Sequence, residues 1–541
     1  MLRDLRRLAN EPFDLHVIGG GVTGACIARD AALRGLRVAL TEKNDFAHAT
    51  SAHNSKLIHG GLRYLRNFDL RLVRESLRER RIWQRIAPHL VRPLPFLVPV
   101  YDGSWKARAT LGTGLALYDL LSFDRAWLDD PQQRLPGHGW FDRSAALVRE
   151  PVLEGPNFAG AFLYYDAQMY SPERLALECL IDADANGAAL ANHMAAERLL
   201  IRNGRVEGAA LQCGLSGRRL DIRAKLTVLA AGPWADLFLN AALGEKSVHR
   251  LIRSKGIHLI VPAATRGDAL TVATAHGHFF VLPWRGASIL GTTDTAFTGS
   301  PDAVGVSESE ITAFLAIVNA HLPSAHIARA DVRHFYAGLR PLVDNGANDT
   351  YGASRRAELI DHQKTDRVEG LVSAIGGKWT TSRDLAENAV NLAVRKLDAR
   401  TRRCVTAATP LPGGRMGSLG AFLGRQAGLP VPNAGHLARL YGTRLDGVMR
   451  IADTDPALRQ PLSPSGDIGA QILFAIREEM AATLADAVMR RTGMGQLGAP
   501  QPAALAAAAT LMAGELGWSG ARKEAEIASL ARFFQTTGET T

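Results

Sequence analysis

The run FDLHVIGGGVTGACIARDAALRGLRVALTE, residues 13–42, constrains the fold more than any other stretch of this chain. It reads as an apolar strand, a glycine turn, a helix and a second strand ending in an acid. The glycines fall as G-x-G-x-x-G at Gly19, Gly21 and Gly24, with Gly20 inside the turn, directly after the apolar run from Leu15 to Ile18. At that spacing Gly19 permits a tight turn, Gly21 lets the backbone approach a pyrophosphate, and Gly24 lets the helix pack close to the strand. Phosphates would sit on the N–H groups at the helix start, where the dipole favours negative charge. Ala25, Ala28 and Ala31 keep the helix near the sheet, and Gly35 reads as its C-cap. Glu42 stands 18 residues after Gly24, where a carboxylate grips an adenosine ribose. Glycine turns also occur without ligands, but strand, helix, spacing and acid together point to a bound dinucleotide.

A chain of 541 residues can bury large cores and should form two or three domains. Hydrophobic content of 47% and charged content of 21% describe an ordinary globular protein. The net charge of +10 favours anionic substrates, anionic lipid or nucleic acid. No basic cluster interleaved with aromatics is present, so nucleic acid is not an expected partner. The start, MLRDLRRLAN, lacks the apolar core of a secretory signal, and no run of 18 apolar residues suggests a spanning helix. Cys26, Cys179, Cys213 and Cys404 are scattered with no C-x-x-C pair, which argues for a reducing compartment and against a cysteine-held metal. No metal site is expected. The chain reads as cytoplasmic, peripheral to the inner face of a membrane.

Two later apolar runs also end in glycine turns. Residues 226–230 lead into Ala231-Gly232-Pro233-Trp234, and 371–375 into Gly376-Gly377-Lys378. The nucleotide domain is therefore discontinuous. Between these runs, HFFVLPW (278–284) and ASILGTTD (287–294) flank Arg285-Gly286, a hairpin of an antiparallel sheet. Residues 399–417, rich in Arg, Pro and Gly, read as a linker. Beyond it Ile468, Ile472, Ile476, Met480, Leu484 and Val488 recur every four residues, an amphipathic helix in an all-helical tail. Such a tail serves as a cap, a membrane-facing element or an oligomerisation surface, a homodimer being one assembly compatible with it. The first turn alone does not separate NAD from FAD. A helix starting after Gly376-Gly377 would aim its positive end where a reduced flavin gathers charge, which favours a flavin.

The stretches TSAHNSKLIHGGLRYL (50–65), LAAGPW (229–234), KGIH (255–258), FVLPW (280–284), ILGTTD (289–294), GLRPL (338–342) and IGGKWTT (375–381) resemble the FAD-dependent glycerol-3-phosphate dehydrogenases. The resemblance runs in order from about residue 13 to 395 and more weakly into the tail. It implies an α/β fold: a Rossmann-like, glutathione-reductase-type FAD domain, an antiparallel substrate domain and a C-terminal helical domain. The expected boundaries are 1–95, 156–250 and 336–400 for the FAD domain, 96–155 for a substrate or cap region, 251–335 for the antiparallel sheet and 401–541 for the helices. FAD contacts are expected from Gly19, Gly20, Gly21, Gly24 and Glu42. Further contacts are expected from Thr50, Ser51, Ser55, Lys56, Leu57, Gly232, Gly376, Gly377, Lys378, Trp379 and Thr380. Three departures stand out. Ala231 replaces the usual Thr of an ATGPW motif, Ile257 replaces the Ser of KGSH, and Arg355-Arg356 stands where the family has an Arg-Asp pair.

The family's reaction oxidises sn-glycerol 3-phosphate to dihydroxyacetone phosphate, with electrons passing to ubiquinone or another membrane quinone. A phosphate dianion needs planar, permanently charged donors. Arg63 and Arg340 lie in matched motifs, and Arg355 is the third substrate arginine that the resemblance implies. Tyr64 is placed to hydrogen-bond substrate, and Lys378 to touch cofactor or substrate oxygen. The departing hydroxyl proton calls for an acceptor with a pKa near neutrality. His59 and His258 are the two candidates, with water as the alternative if the arginines depress the hydroxyl pKa. WKARATLGTGLALYDLL (105–121), with Leu111, Leu115, Leu117 and Leu121, offers a membrane-contact helix or an ordinary core helix. Rival readings are an oxidase using O₂, an amine or amino-acid oxidase, and a flavin-binding interaction protein without turnover.

Overall fold

The computed structural model describes residues 1–101, 105–244, 251–274, 277–343 and 356–538. Its first sheet is built outward from the strand Pro12–Ile18, whose last four side chains are all buried. A short, continuously buried run suits a parallel strand covered on both faces. It pairs in parallel with Val38–Thr41 on one side and Arg219–Leu229 on the other. Ala189–Ala191 and Leu371–Gly376 extend the sheet, again in parallel. The helix Val22–Leu33 covers one face and packs against Pro172–Ala185 and Ser382–Leu397. Its alanines and Gly24 are buried there, so small side chains do set the helix–sheet distance. On the other face Leu199, Leu211 and Leu239 share an apolar cluster with Ile18 and Ile222.

The second sheet is antiparallel except where Ala269–Thr274 meets Val91–Val100. Its hairpin turns at Arg285 (φ 52°) and Gly286 (φ 78°), two left-handed residues that match the right-handed twist of the flanking strands. The helix Glu308–His321 closes one face, packing Ile311, Phe314 and Val318 against Leu259, Val281 and Leu290. Four strands fall in this sheet although the sequence boundaries put them wholly or partly in the nucleotide domain: Leu57–Ile58, the first half of Val91–Val100, Gly160–Met169 and most of His334–Val343. An apolar run signals a strand without naming its partner. Here Gly160–Met169 pairs along its length with Val91–Val100, and His334–Val343 with Leu251–Pro262.

The tail is helical from Leu419 onward, with one isolated bridge between Pro461 and Ile468. The four-residue apolar repeat does not give one helix. Gly469–Glu479 ends where Met480 turns left-handed (φ 59°), and a π-helical turn takes Asp486–Arg491. That turn carries Arg490 and Arg491 onto Asp45, three residues past Glu42. His193 completes the clamp, its Nε2 lying 2.9 Å from Asp486 Oδ2. Asp45, His193 and Asp486 gather three metal-type ligands, but the two arginines occupy the carboxylates of both acids.

Burial lowers the His193 pKa, but the hydrogen bond and charge of Asp486 outweigh it, so the net shift is upward. A raised folded pKa stabilises fully below the unfolded value and fades as pH rises through the folded one. His193→Gln should therefore lose more melting temperature against wild type at acidic pH than at alkaline pH, measured by circular dichroism.

Candidate active site

A cleft of about 450 Å³ opens at the carboxyl ends of the parallel strands, lined by Gly19, Gly21 and Val22 of the first turn. Ligands of open α/β sheets bind at this edge. Gly19 has φ 113°, and a Cβ there would come within 2.5 Å of the Ala230 carbonyl oxygen. A Cβ on Gly24 would lie 1.9 Å from the Gly19 carbonyl oxygen, so strand and helix touch backbone to backbone. Gly21 is the N-cap of Val22–Leu33 and supplies no side-chain cap, leaving this helix start open to an anion. Ser51 Oγ takes the Val22 N–H at 2.9 Å. Glu42 is fixed by two backbone donors, Gly20 N at 2.7 Å and Asn44 N at 2.9 Å, and lines the cleft with lone pairs left for a diol.

The other glycine turns reach the same cleft. Gly232 (φ 52°) lies on one wall, and Gly376 (φ 70°) and Gly377 (φ 85°) on another. The expected helix does not begin directly after Gly377. Two left-handed residues do not start a right-handed helix, and Ser382–Leu397 begins four residues after Lys378 with Thr381 as its N-cap. Within the intervening turn Trp379 Nε1 donates to the Ser51 carbonyl at 3.0 Å. Thr380 Oγ1 accepts from His59 N at 3.1 Å and donates to His59 O at 3.3 Å. Thr50 lines the cleft and donates to the Leu339 carbonyl at 2.7 Å, which ties the cleft to the strand bearing Arg340.

Lys378 joins the cleft to the expected substrate residues. Its Nζ lies 3.9 Å over the Tyr64 ring and donates to Ser76 Oγ at 2.9 Å. Arg63 stacks on the same ring at 5.0 Å. Arg340 stands on a neighbouring strand, its guanidinium held by Ser254 Oγ and Thr292 Oγ1, each at 2.7 Å, and by the Thr293 carbonyl at 3.1 Å. His258 is buried against Tyr336, rings stacked at 5.0 Å, with Nε2 2.9 Å from Ser55 Oγ and Nδ1 without a partner among the described residues. Burial above all, then the charges of Arg340 and Lys56, holds its pKa well below the usual histidine range, so the ring is neutral.

Three residues expected at the cofactor have their side chains engaged elsewhere, Ser55 on His258 among them. The Lys56 amine points into the core, 3.2 Å from Glu173 and 3.0 Å from the Ala52 carbonyl, and the Leu57 side chain packs with Val73 and Leu77. Burial of a charge demands a partner, and Glu173 supplies it from 117 residues away, out of sight of any local pattern. Arg355 lies outside the described residues. Its neighbour Arg356 pairs with Asp69 at 2.8 Å. Trp234 and His48 line the cleft although sequence reasoning did not select them. Trp234, under the Lys43 amine at 4.1 Å, stood inside a matched motif and could have been found.

The open helix start, the close glycine approach and the anchored Glu42 fit a flavin dinucleotide. A profile described as "FAD dependent oxidoreductase" matches residues 14–383, and one described as "C-terminal domain of alpha-glycerophosphate oxidase" matches 404–523. The chain is 36% identical over 519 residues to a Synechocystis protein named glycerol-3-phosphate dehydrogenase, covering 92% of this chain and 91% of that one. It is 33% identical to a glycerol-3-phosphate dehydrogenase 2 of Mycobacterium bovis over 97% of this chain and 88% of that one. The crystal structure of a Bacillus halodurans glycerol-3-phosphate dehydrogenase with FAD superimposes with a TM-score of 0.78 at 28% identity, covering 97% of this chain and 95% of that one. Its cofactor is FAD, and the chain belongs to the FAD-dependent oxidoreductases and, among them, to the glycerol-3-phosphate dehydrogenase family.

Proposed function

We propose that this protein oxidises sn-glycerol 3-phosphate to dihydroxyacetone phosphate and delivers the electrons to a membrane quinone. The observation carrying this reading is family membership over nearly the whole chain, joined to the cations Lys378 and Arg63 gathered on Tyr64 beside the cofactor cleft. Arg63 and Arg340 bind the phosphate dianion, with Arg355 as the proposed third. The two hydroxyls on Arg340 order its fork before substrate arrives, which lowers the entropy cost of binding. FAD, when bound, accepts the hydride from C2 of the substrate. The hydroxyl proton passes to His59 or His258, the two histidines of the matched motifs, or to water if the arginines depress the hydroxyl pKa. Glycerol 3-phosphate added under nitrogen should bleach the yellow flavin band. A band that persists excludes the reaction.

Membrane contact is part of the proposal. Among the described residues no helix is long and apolar enough to cross a membrane. Of the four leucines expected to face lipid, Leu115 is buried, Leu111 and Leu121 pack against the same cluster, and Leu117 is half-buried. The exposed apolar residues are Trp105, Leu120, Phe123 and Trp127 instead. Arg74 stacks on Phe123 at 4.5 Å and Arg81 on Trp127 at 5.8 Å, whereas Trp105, Lys106 and Arg108 are exposed at the opposite end of the helix Trp105–Leu121. An apolar patch rimmed by arginines suits an anionic lipid surface. The protein should sediment with anionic liposomes at low salt, and a Phe123→Ala/Trp127→Ala double variant should stay in the supernatant. Wild type left in the supernatant removes the membrane from this account.

A second reading has O₂ as acceptor, favoured by the tail's match to a domain described from an oxidase. Stoichiometric peroxide with glycerol 3-phosphate, and no reduction of a quinone analogue, would select it.

A further inference from the structure

Asp166 stands midway along the strand Gly160–Met169, which pairs along its length with Val91–Val100, and is only 1% exposed. A carboxylate so placed must be compensated by donors. They come from three separate elements. Arg80 Nη1 donates to it at 2.5 Å from the helix Leu70–Ile86. The Tyr118 hydroxyl lies 2.9 and 2.8 Å from its two oxygens, from the helix Trp105–Leu121. The backbone N–H of Gly60 donates at 3.2 Å. None of these groups has a part in the chemistry above.

Gly60 is where this cluster meets the site. A Cβ there would come within 2.3 Å of the Tyr118 hydroxyl oxygen and 2.4 Å of a Leu77 methyl, so the chain lies directly on both helices. The next residue, Gly61 (φ 76°), packs against Tyr64, where a Cβ would meet the ring at 2.4 Å. On the other side His59 is tied through both its N–H and its carbonyl to Thr380 of the glycine turn. Residues 59–64 are thus tethered twice, once to the cofactor-side turn and once to a carboxylate on a rigid strand.

We propose that Asp166, with Tyr118 and Arg80, is a positioning device that holds residues 59–64, and with them Arg63 and Tyr64, in the geometry that binds the phosphorylated substrate. The inference rests on the reading of Arg63 and Tyr64 as substrate-binding. A loop fixed before substrate arrives pays no ordering cost on binding, so loosening it weakens affinity more than turnover.

Tyr118→Phe removes one hydroxyl and keeps the ring's edge contact with Tyr164. It should keep wild-type flavin content and melting temperature, raise KM for glycerol 3-phosphate about fivefold and change kcat less than about twofold. Amide hydrogen exchange in the peptide spanning 58–65 should quicken about fivefold with it. Asp166→Asn keeps an acceptor for Gly60 but faces Arg80 with a neutral group, and should move both quantities further. Because that variant can fail to fold, Tyr118→Phe carries the decision. Wild-type KM together with wild-type exchange in Tyr118→Phe overturns the proposal. If glycerol 3-phosphate does not bleach the wild-type flavin, the reading of the reaction fails instead. The exchange measurement then still decides: quicker exchange keeps the tether, and unchanged exchange removes it.

Discussion

Arg340→Ala is expected to lower kcat/KM for glycerol 3-phosphate by about 30- to 300-fold, chiefly through a KM raised at least about tenfold, with FAD still bound. Truncating one member of a hydrogen-bonded charge pair costs about 2–5 kcal/mol, and each 1.4 kcal/mol is about tenfold. The Arg340 side chain is 21% exposed, which places the loss in the lower half of that range. Flavin retention follows because Arg340 does not line the glycine cleft; its neighbour Pro341 does. Arg340→Lys keeps the charge without the planar fork and should fall between the two. The substitution also removes one of the charges depressing His258, so an acid limb of the kcat profile that moves to higher pH would assign the hydroxyl proton to that ring. Steady-state kinetics across pH checks both effects. An unchanged KM would take Arg340 out of the phosphate site.

Gly24→Ala is expected to yield a colourless protein. The new methyl carbon would sit 1.9 Å from the Gly19 carbonyl oxygen and 3.3 Å from a Val17 methyl, and backbone does not move aside as a side-chain tip can. Gly19 has no room to retreat, because its N–H is bonded to the Thr41 carbonyl at 2.8 Å and its own face lies on Ala230. The helix must therefore slide away from the strand, carrying the N–H groups of the phosphate cradle with it. Overpacking of this kind costs about 1–3 kcal/mol in the fold itself. The loss of bound cofactor removes a further ~3 kcal/mol where FAD exceeds its Kd a hundredfold. Flavin absorbance per protein and the melting temperature report both losses. A yellow Gly24→Ala protein that melts like wild type would refute the packing argument.

Legibility in the sequence followed the range of each interaction. The first turn was readable because its contacts, Gly24 on Gly19 and Glu42 on Gly20, lie within one strand–helix–strand unit. The hairpin at Arg285-Gly286 was readable for the same reason. Lys56 was not, since only the fold brings Glu173 to it. The apolar repeat after Ile468 was broken by an ion-pair cluster whose other half lies at Asp45, more than 440 residues away. The helix Trp105–Leu121 shows the same limit: its leucines follow a helical period, but which face is covered was set by Phe162 and Tyr164 on a distant strand.

The sequence by itself determined the local chemistry: a glycine turn that admits a pyrophosphate, an acid at the next strand end, and arginines in motifs shared with a flavoenzyme family. Backbone geometry and side-chain period are written within a few residues, so those features needed no partner to be read. The tertiary structure alone decided which sheet each strand joined, where the Lys56 amine went, and that a buried carboxylate at Asp166 grips the loop bearing Arg63. Each of those outcomes depends on pairing and desolvating groups far apart along the chain, and periodicity carries no record of which distant group will be there.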